Sequence, residues 1–146
     1  MTNLKITKTL LLFVTASCLV VSCNLGNNSA PTTDDTVAQS VAIAFAQAST
    51  TGNFKTAQNL LIADSTNIED FSIFTQKFNT QPPIDKEGLK KASLQNWHSS
   101  TVILDSIYIY TYTNSYTKKE NSIKLVKTPK NIWRVDFTYY FNGNLN

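Results

Sequence analysis

A chain of 146 residues with 13 basic and 10 acidic side chains carries a formal charge of +3, and only 16% of its residues are charged. With 42% of positions hydrophobic it can bury one core of ordinary domain size. A single arginine, Arg134, and scattered lysines leave no electrostatic footprint for nucleic acid, which is excluded as a partner.

The chain opens MTNLKITK, placing Lys5 and Lys8 ahead of an apolar run from Leu10 to Val21 that is broken only by Thr15, Ser17 and Cys18. A charged head before a short greasy segment is the order of an export signal, and the run falls short of the roughly 20 residues that a stable membrane span needs. The segment closes with Val20-Val21-Ser22-Cys23, which resembles the bacterial lipobox: an aliphatic, a tolerant position, a small residue, then cysteine. Residues 1–22 therefore read as a lipoprotein signal peptide and Cys23 as the lipidated first residue of the mature chain. Cys18, the rival acceptor, has Thr15 where the lipobox wants an aliphatic. A diacylated cysteine supplies the two chains that lasting attachment requires. Asn24, rather than an aspartate, follows Cys23, which in the proteobacterial sorting habit directs a lipoprotein to the outer membrane.

Removal of Lys5 and Lys8 lowers the basic count to 11 against 10 acids, so the mature charge is 11 − 10 = +1. Neither cysteine survives as a thiol, which removes disulfide, cysteine-nucleophile and cysteine–metal chemistry. Asn24 to Thr33, NLGNNSAPTT, is too poor in apolar groups to order itself and reads as a tether with a span of roughly 17 Å. Tether and anchor together occupy 23–35, and one domain fills 36–146.

Within that domain Asp34, Asp35 and Thr36 supply helix-start oxygens. Val37, Val41, Ala44, Phe45 and Ala48 follow at helical spacing up to Gly52. Asn53 caps a second short helix carrying Phe54, Ala57, Leu60 and Leu61, with Asp64-Ser65 as its exit. A third begins near Asn67 and Asp70, shows Phe71, Phe74 and Phe78 on one face, and stops at Pro82-Pro83. From Ser93 the period falls to two. Ile107, Ile109 and Thr111 alternate with Tyr108, Tyr110 and Tyr112, and Asp105-Ser106 reads as a bend in a long strand. Lys118 to Asn121 and Thr128 to Asn131 are polar turns. The last strand alternates Trp133, Val135, Phe137, Tyr139 and Phe141, the core face, with Ile132, Arg134, Asp136, Thr138 and Tyr140. Helices first and about four antiparallel strands after define an α+β domain.

Two segments carry a family resemblance. Thr51-Gly52-Asn53-Phe54-Lys55-Thr56-Ala57 is similar to the Gly-Asp-Phe-x-x-Ala joint, and Asn131-Ile132-Trp133-Arg134-Val135-Asp136-Phe137 to the Gly-x-Trp-x-Val-x-Phe final strand, of the nuclear-transport-factor-2-like superfamily. The chain resembles most closely the small Bacteroidota-type lipoproteins of that superfamily. Asn stands in place of the usual joint Asp and of the turn Gly. The resemblance implies helices packed in the concave face of a curved sheet, forming a cone. Phe45, Phe71, Phe74, Trp133 and Phe137 are the expected cone lining. Tyr108, Tyr110 and Tyr112 are expected on the bare outer face, the surface through which members of the superfamily commonly dimerise.

Enzymes of the superfamily set an acid or base inside the cone, and no such residue carries over to this sequence. Arg134 with Asp136 reads as a surface ion pair. His98, the sole histidine, stands near Trp97 with no second ligand for metal or triad work, and Asp64, Asp70 and Asp85 sit where capping explains them. No catalytic residue, metal or cofactor is implied. The resulting expectation is a membrane-anchored envelope lipoprotein, with a noncatalytic domain that binds a protein partner or a small apolar ligand. The alternatives are an isomerase- or hydrolase-type enzyme of the same fold and a structural or immunity accessory.

Overall fold

The computed structural model describes residues 33–103 and 105–143. The export signal, Cys23 and the tether up to residue 32 lie outside them. The elements in chain order are helices α1 (Thr33–Thr51), α2 (Phe54–Asn59), α3 (Ser65–Asn79) and α4 (Pro83–Lys91), strands β1 (Leu94–Ile103), β2 (Ile107–Asn114), β3 (Glu120–Lys127) and β4 (Trp133–Asp136), and a closing helix α5 (Phe137–Gly143). The fold is α+β, with the N-terminal helices packed against a curved antiparallel sheet of order β1-β2-β3-β4.

Helix α1 takes in Thr33, so Asp34 and Asp35 lie in its first turn, at the positive end of the helix dipole, instead of preceding it. Ala38, Ala42, Phe45, Ala46 and Ser49 form its buried stripe, and the small residues let the helix lie close across β2, β3 and β4. It stops at Gly52, whose φ of 78° belongs to the left-handed region that glycine adopts without strain. There the backbone N–H of Asn53 donates to the carbonyl of Ala48 (2.8 Å), and the Asn53 side chain accepts from Thr56 N–H to start α2.

Asp64 caps α3 by accepting from Asn67 N–H at 2.8 Å. The double proline ends α3 as expected, yet it also begins a helix that the sequence pattern did not announce. Pro83 occupies the first turn of α4, where a missing N–H costs nothing. This helix buries no side chain completely and is fastened from the β2–β3 turn instead. The Tyr116 hydroxyl donates to Asp85 (2.7 Å), and its ring lies so close on Gly88 that any side chain there would overlap it.

In the sheet, the extra residues between Gln95 and His98 make a bulge with Asn96 at φ 55°. The bulge bends β1 and sets Trp97 flat on Tyr112, with ring centroids 4.7 Å apart. Asp105-Ser106 is not a bend within one strand: Asp105 has φ 56° and the chain reverses there, separating β1 from β2. Asn131, at φ 57°, takes the left-handed turn position for which asparagine replaces glycine. The outer edge of β4 is covered by the α2–α3 connection, where Val135 N–H donates to the Leu60 carbonyl and Ile62 N–H to that of Val135, both at 2.9 Å.

The expected last strand is cut short. Alternation holds for Trp133 and Val135, both buried, but from Phe137 the chain turns into α5, which buries Phe137 and Tyr140 and leaves Tyr139 outside. The cause lies 70 residues upstream. The side-chain oxygen of Asn67 accepts from the backbone N–H groups of Phe137 and Thr138, so it caps the first turn of α5 from α3. Asp136 adds a local cap by accepting from Tyr139 N–H at 3.3 Å.

Candidate functional site

The aromatic residues expected to line a cone mostly fill it. Phe45, Phe71, Trp133 and Phe137 are all buried and packed on one another or on their neighbours, and of the five only Phe74 borders open space. Trp133 lies against Tyr108, with centroids 5.3 Å apart, as a plug deep in the sheet's curve. The narrow part of the cone is solid core.

Tyr108, Tyr110 and Tyr112 are not on the outer face. They point into the helices with 3%, 1% and 1% exposure, while Ile107 and Ile109 take the other face, half-buried. The inversion follows from reach and from hydrogen bonding: a tyrosine spans a wide gap, and each hydroxyl finds a partner. Tyr110 donates to the carbonyl of Asp35 (2.9 Å) and to its carboxylate, tying β2 to the start of α1. Tyr108 reaches the carboxylate of Asp105 at 3.5 Å, and Tyr112 is hydrogen-bonded to Tyr140. These rings belong to the core and present no outer surface.

At the wide end a cavity of about 220 Å³ remains. Helices and sheet build it together. Ser49 and Thr50 come from the last turns of α1. Phe74 and Phe78 come from α3, with Gln81 and Leu89 from its exit and from α4. Tyr112 and Asn114 close it from β2, and Tyr140 and Phe141 from α5. Lys119 stands at the rim with the β2–β3 turn. The apolar wall is mainly aromatic.

The polar groups of the cavity are unequal. Asn114 is buried and its side-chain oxygen accepts from Tyr116 and Thr117 N–H (2.9 and 3.2 Å), which folds the β2–β3 turn and leaves that side chain with donors only. Thr50 and Thr51 return their hydroxyls to the carbonyls of Ala46 and Gln47 (2.9 and 2.7 Å), the usual resting place for a hydroxyl on a helix. Ser49 does not. It is 1% exposed and its Oγ has no hydrogen-bond partner among the described residues, and the same is true of Gln81 Oε1. A buried polar group without a partner costs about 1–3 kcal/mol; Trp133 Nε1 and Thr138 Oγ1 are also unpartnered among the described residues, and Ser49 and Gln81 are the two that border this cavity.

Burial pushes the Tyr112 hydroxyl well above the ordinary tyrosine value, reinforced by Tyr140, and burial likewise raises Tyr140 against the lowering effect of their hydrogen bond. Both are neutral donors, not bases. A raised folded-state value stabilises the protein fully below the unfolded value near 10 and is lost as pH rises through the folded one. Tyrosinate absorbance of the native protein is therefore expected to lag that of the urea-unfolded chain, rising together with loss of far-ultraviolet dichroism. Superimposed titrations would contradict this burial.

The remaining expected residues are dispersed. Arg134 and Asp136 do not pair: Asp136 meets Lys124 across the strands at 2.9 Å, and an Arg134 Nη donates to the Trp133 carbonyl at 3.0 Å. His98 is exposed on β1, where its Nδ1 lies 3.2 Å from the Asn96 carbonyl. Asp64 caps α3, whereas Asp85 lies in the first turn of α4, which has no side-chain cap bond, and Asp70 lies inside α3. Among the described residues no three His, Cys, Asp or Glu side chains gather as a metal site, and no helix is long and apolar enough to cross a membrane. Ser49, Gln81 and Asn114 had no signal in the sequence beyond being polar residues near helix or strand ends. No family model, curated protein or solved structure matches the chain.

Proposed function

We propose that this chain is an envelope lipoprotein, lipidated at Cys23 and sent to the outer membrane, whose domain is a noncatalytic binding module of the nuclear-transport-factor-2-like kind. It takes a small molecule into the cavity at the wide end of the cone. The observation that carries the binding reading is the conjunction of an aromatic wall with the unpartnered Ser49 hydroxyl and Gln81 carbonyl. A few placed polar groups in an otherwise apolar recess is the usual composition of a ligand site. The enzyme alternative is disfavoured because the lining offers no carboxylate and no imidazole, and its two tyrosines are held protonated.

One preparation tests both halves. The full chain is expressed in an exporting bacterium, extracted gently and weighed intact by native mass spectrometry, beside Cys23→Ser. The expected result is a mass increment for the acyl chains that the variant lacks, together with a retained small molecule in both. An unmodified Cys23 would end the anchoring proposal. Wild-type protein that carries no small molecule, even after exposure to envelope extract of its own organism, would end the binding proposal.

A further inference from the structure

The cavity constrains the chemistry of what it holds. At about 220 Å³ it lies below the 300–1,000 Å³ of drug-sized sites, which favours a compact ligand. Charge is the second constraint. Of the lining residues only Lys119 is an acidic or basic side chain, and it is exposed at the rim. A charged group placed at Ser49 would be desolvated with no counter-charge beside it, which is prohibitive at this depth.

Hydrogen-bond polarity is the third. Gln81 presents an acceptor oxygen without a donor, Asn114 has donors left after its oxygen is used in the turn, and Ser49 can act either way. The matching group must donate and accept at once. The facing walls are the Phe74, Phe78 and Phe141 rings, which favour a flat apolar body.

From this geometry we infer that the cavity selects an uncharged, compact ligand with a flat apolar body and one amide or alcohol group, which is held between Ser49 and Gln81. The inference rests on the binding reading above and narrows it. Ser49→Ala then separates a ligand contact from a structural one. The substitution removes an unpartnered hydroxyl from a buried helix position and replaces it by a better helix former, so the ligand-free variant melts at the same or a higher temperature.

The probes are benzamide, benzoate and benzylammonium, three molecules of closely similar shape that differ in charge. Equilibrium dialysis measures each against the full chain, and the Ser49→Ala/Gln81→Leu double variant corrects for uptake by detergent. Benzamide is expected to bind about tenfold more tightly than either ion, a ratio that one satisfied buried hydrogen-bonding group supplies. Ser49→Ala and Gln81→Leu singly are expected to weaken benzamide severalfold with no fall in melting temperature for Ser49→Ala. If benzoate or benzylammonium binds most tightly, or if neither single variant changes benzamide binding, the inference on ligand chemistry is overturned while the cavity reading stands. Identical uptake of all three probes by wild type and double variant overturns the inference and the binding reading beneath it.

Discussion

Phe137→Ala is expected to lower the free energy of unfolding by about 3–5 kcal/mol, because truncating a fully buried phenylalanine loses its transfer energy and leaves a void. The Phe137 ring has no solvent exposure and meets five others, those of Phe45, Phe71, Phe74, Tyr140 and Phe141, with centroids 5.2 to 6.0 Å away. It joins the sheet side of the core to α3 and α1 in a single residue. A loss of this size is a large share of the roughly 5–15 kcal/mol that holds a domain together. Urea denaturation of the variant checks it, with Phe137→Leu as the volume-conserving control that recovers most of the loss. A cost below 1 kcal/mol for the alanine variant would mean that residue 137 does not enter the core as the first residue of α5.

The second large effect is expected at Asn67. Its amide oxygen holds the first two N–H groups of α5, its amide nitrogen donates to Asp64 (2.8 Å), and the residue is 4% exposed. Asn67→Leu keeps the branched side-chain skeleton and removes every one of these side-chain bonds, leaving backbone donors of α5 buried without an acceptor. The expected cost is about 2–4 kcal/mol. Hydrogen exchange adds a readout that simple loss of packing would not give: the amides of Phe137 and Thr138 become the fastest-exchanging of α5. If they stay protected at the wild-type level, some other group caps the helix and this account of α5 is wrong.

Asn67 also explains where the sequence stops being legible. From Trp133 onward Trp133, Val135, Phe137, Tyr139 and Phe141 fall at every second position, which reads as one strand by local rules. The same letters contain Phe137, Tyr140 and Phe141 at helical spacing, and an oxygen 70 positions away decides between the two patterns. The tyrosine stripe fails to declare itself for a similar reason. Both faces of β2 are apolar enough to be core, and the tyrosines win because Asp35, Asp105 and Tyr140 stand where their hydroxyls end, a fact of tertiary geometry. Helix α4, PIDKEGLKK, has only Ile84 and Leu89 as large aliphatic residues and is held by a residue from another element, Tyr116, so little in its own nine residues announces it.

What could be read was what local chemistry settles. Gly52 ends α1, Asn53 and Asp64 cap the helices that follow, the three phenylalanines of α3 share a face, and Asn131 turns the chain into β4. The α+β order follows from those signals alone. The cavity does not, because it is assembled from α1, α3, α4, β2 and α5 and its two most informative groups, Ser49 Oγ and Gln81 Oε1, are informative only by having nothing to bond.

The two ends of α1 lie at opposite ends of the domain. Asp34, in the first turn, is bound to Lys127 at 2.8 Å beside the β1–β2 reversal, whereas Ser49, near the last, borders the cavity. At 1.5 Å of rise per residue, the 15 steps from Asp34 to Ser49 separate these points by about 22 Å. The end of α1 nearer to Cys23 along the chain is therefore the end farther from the cavity.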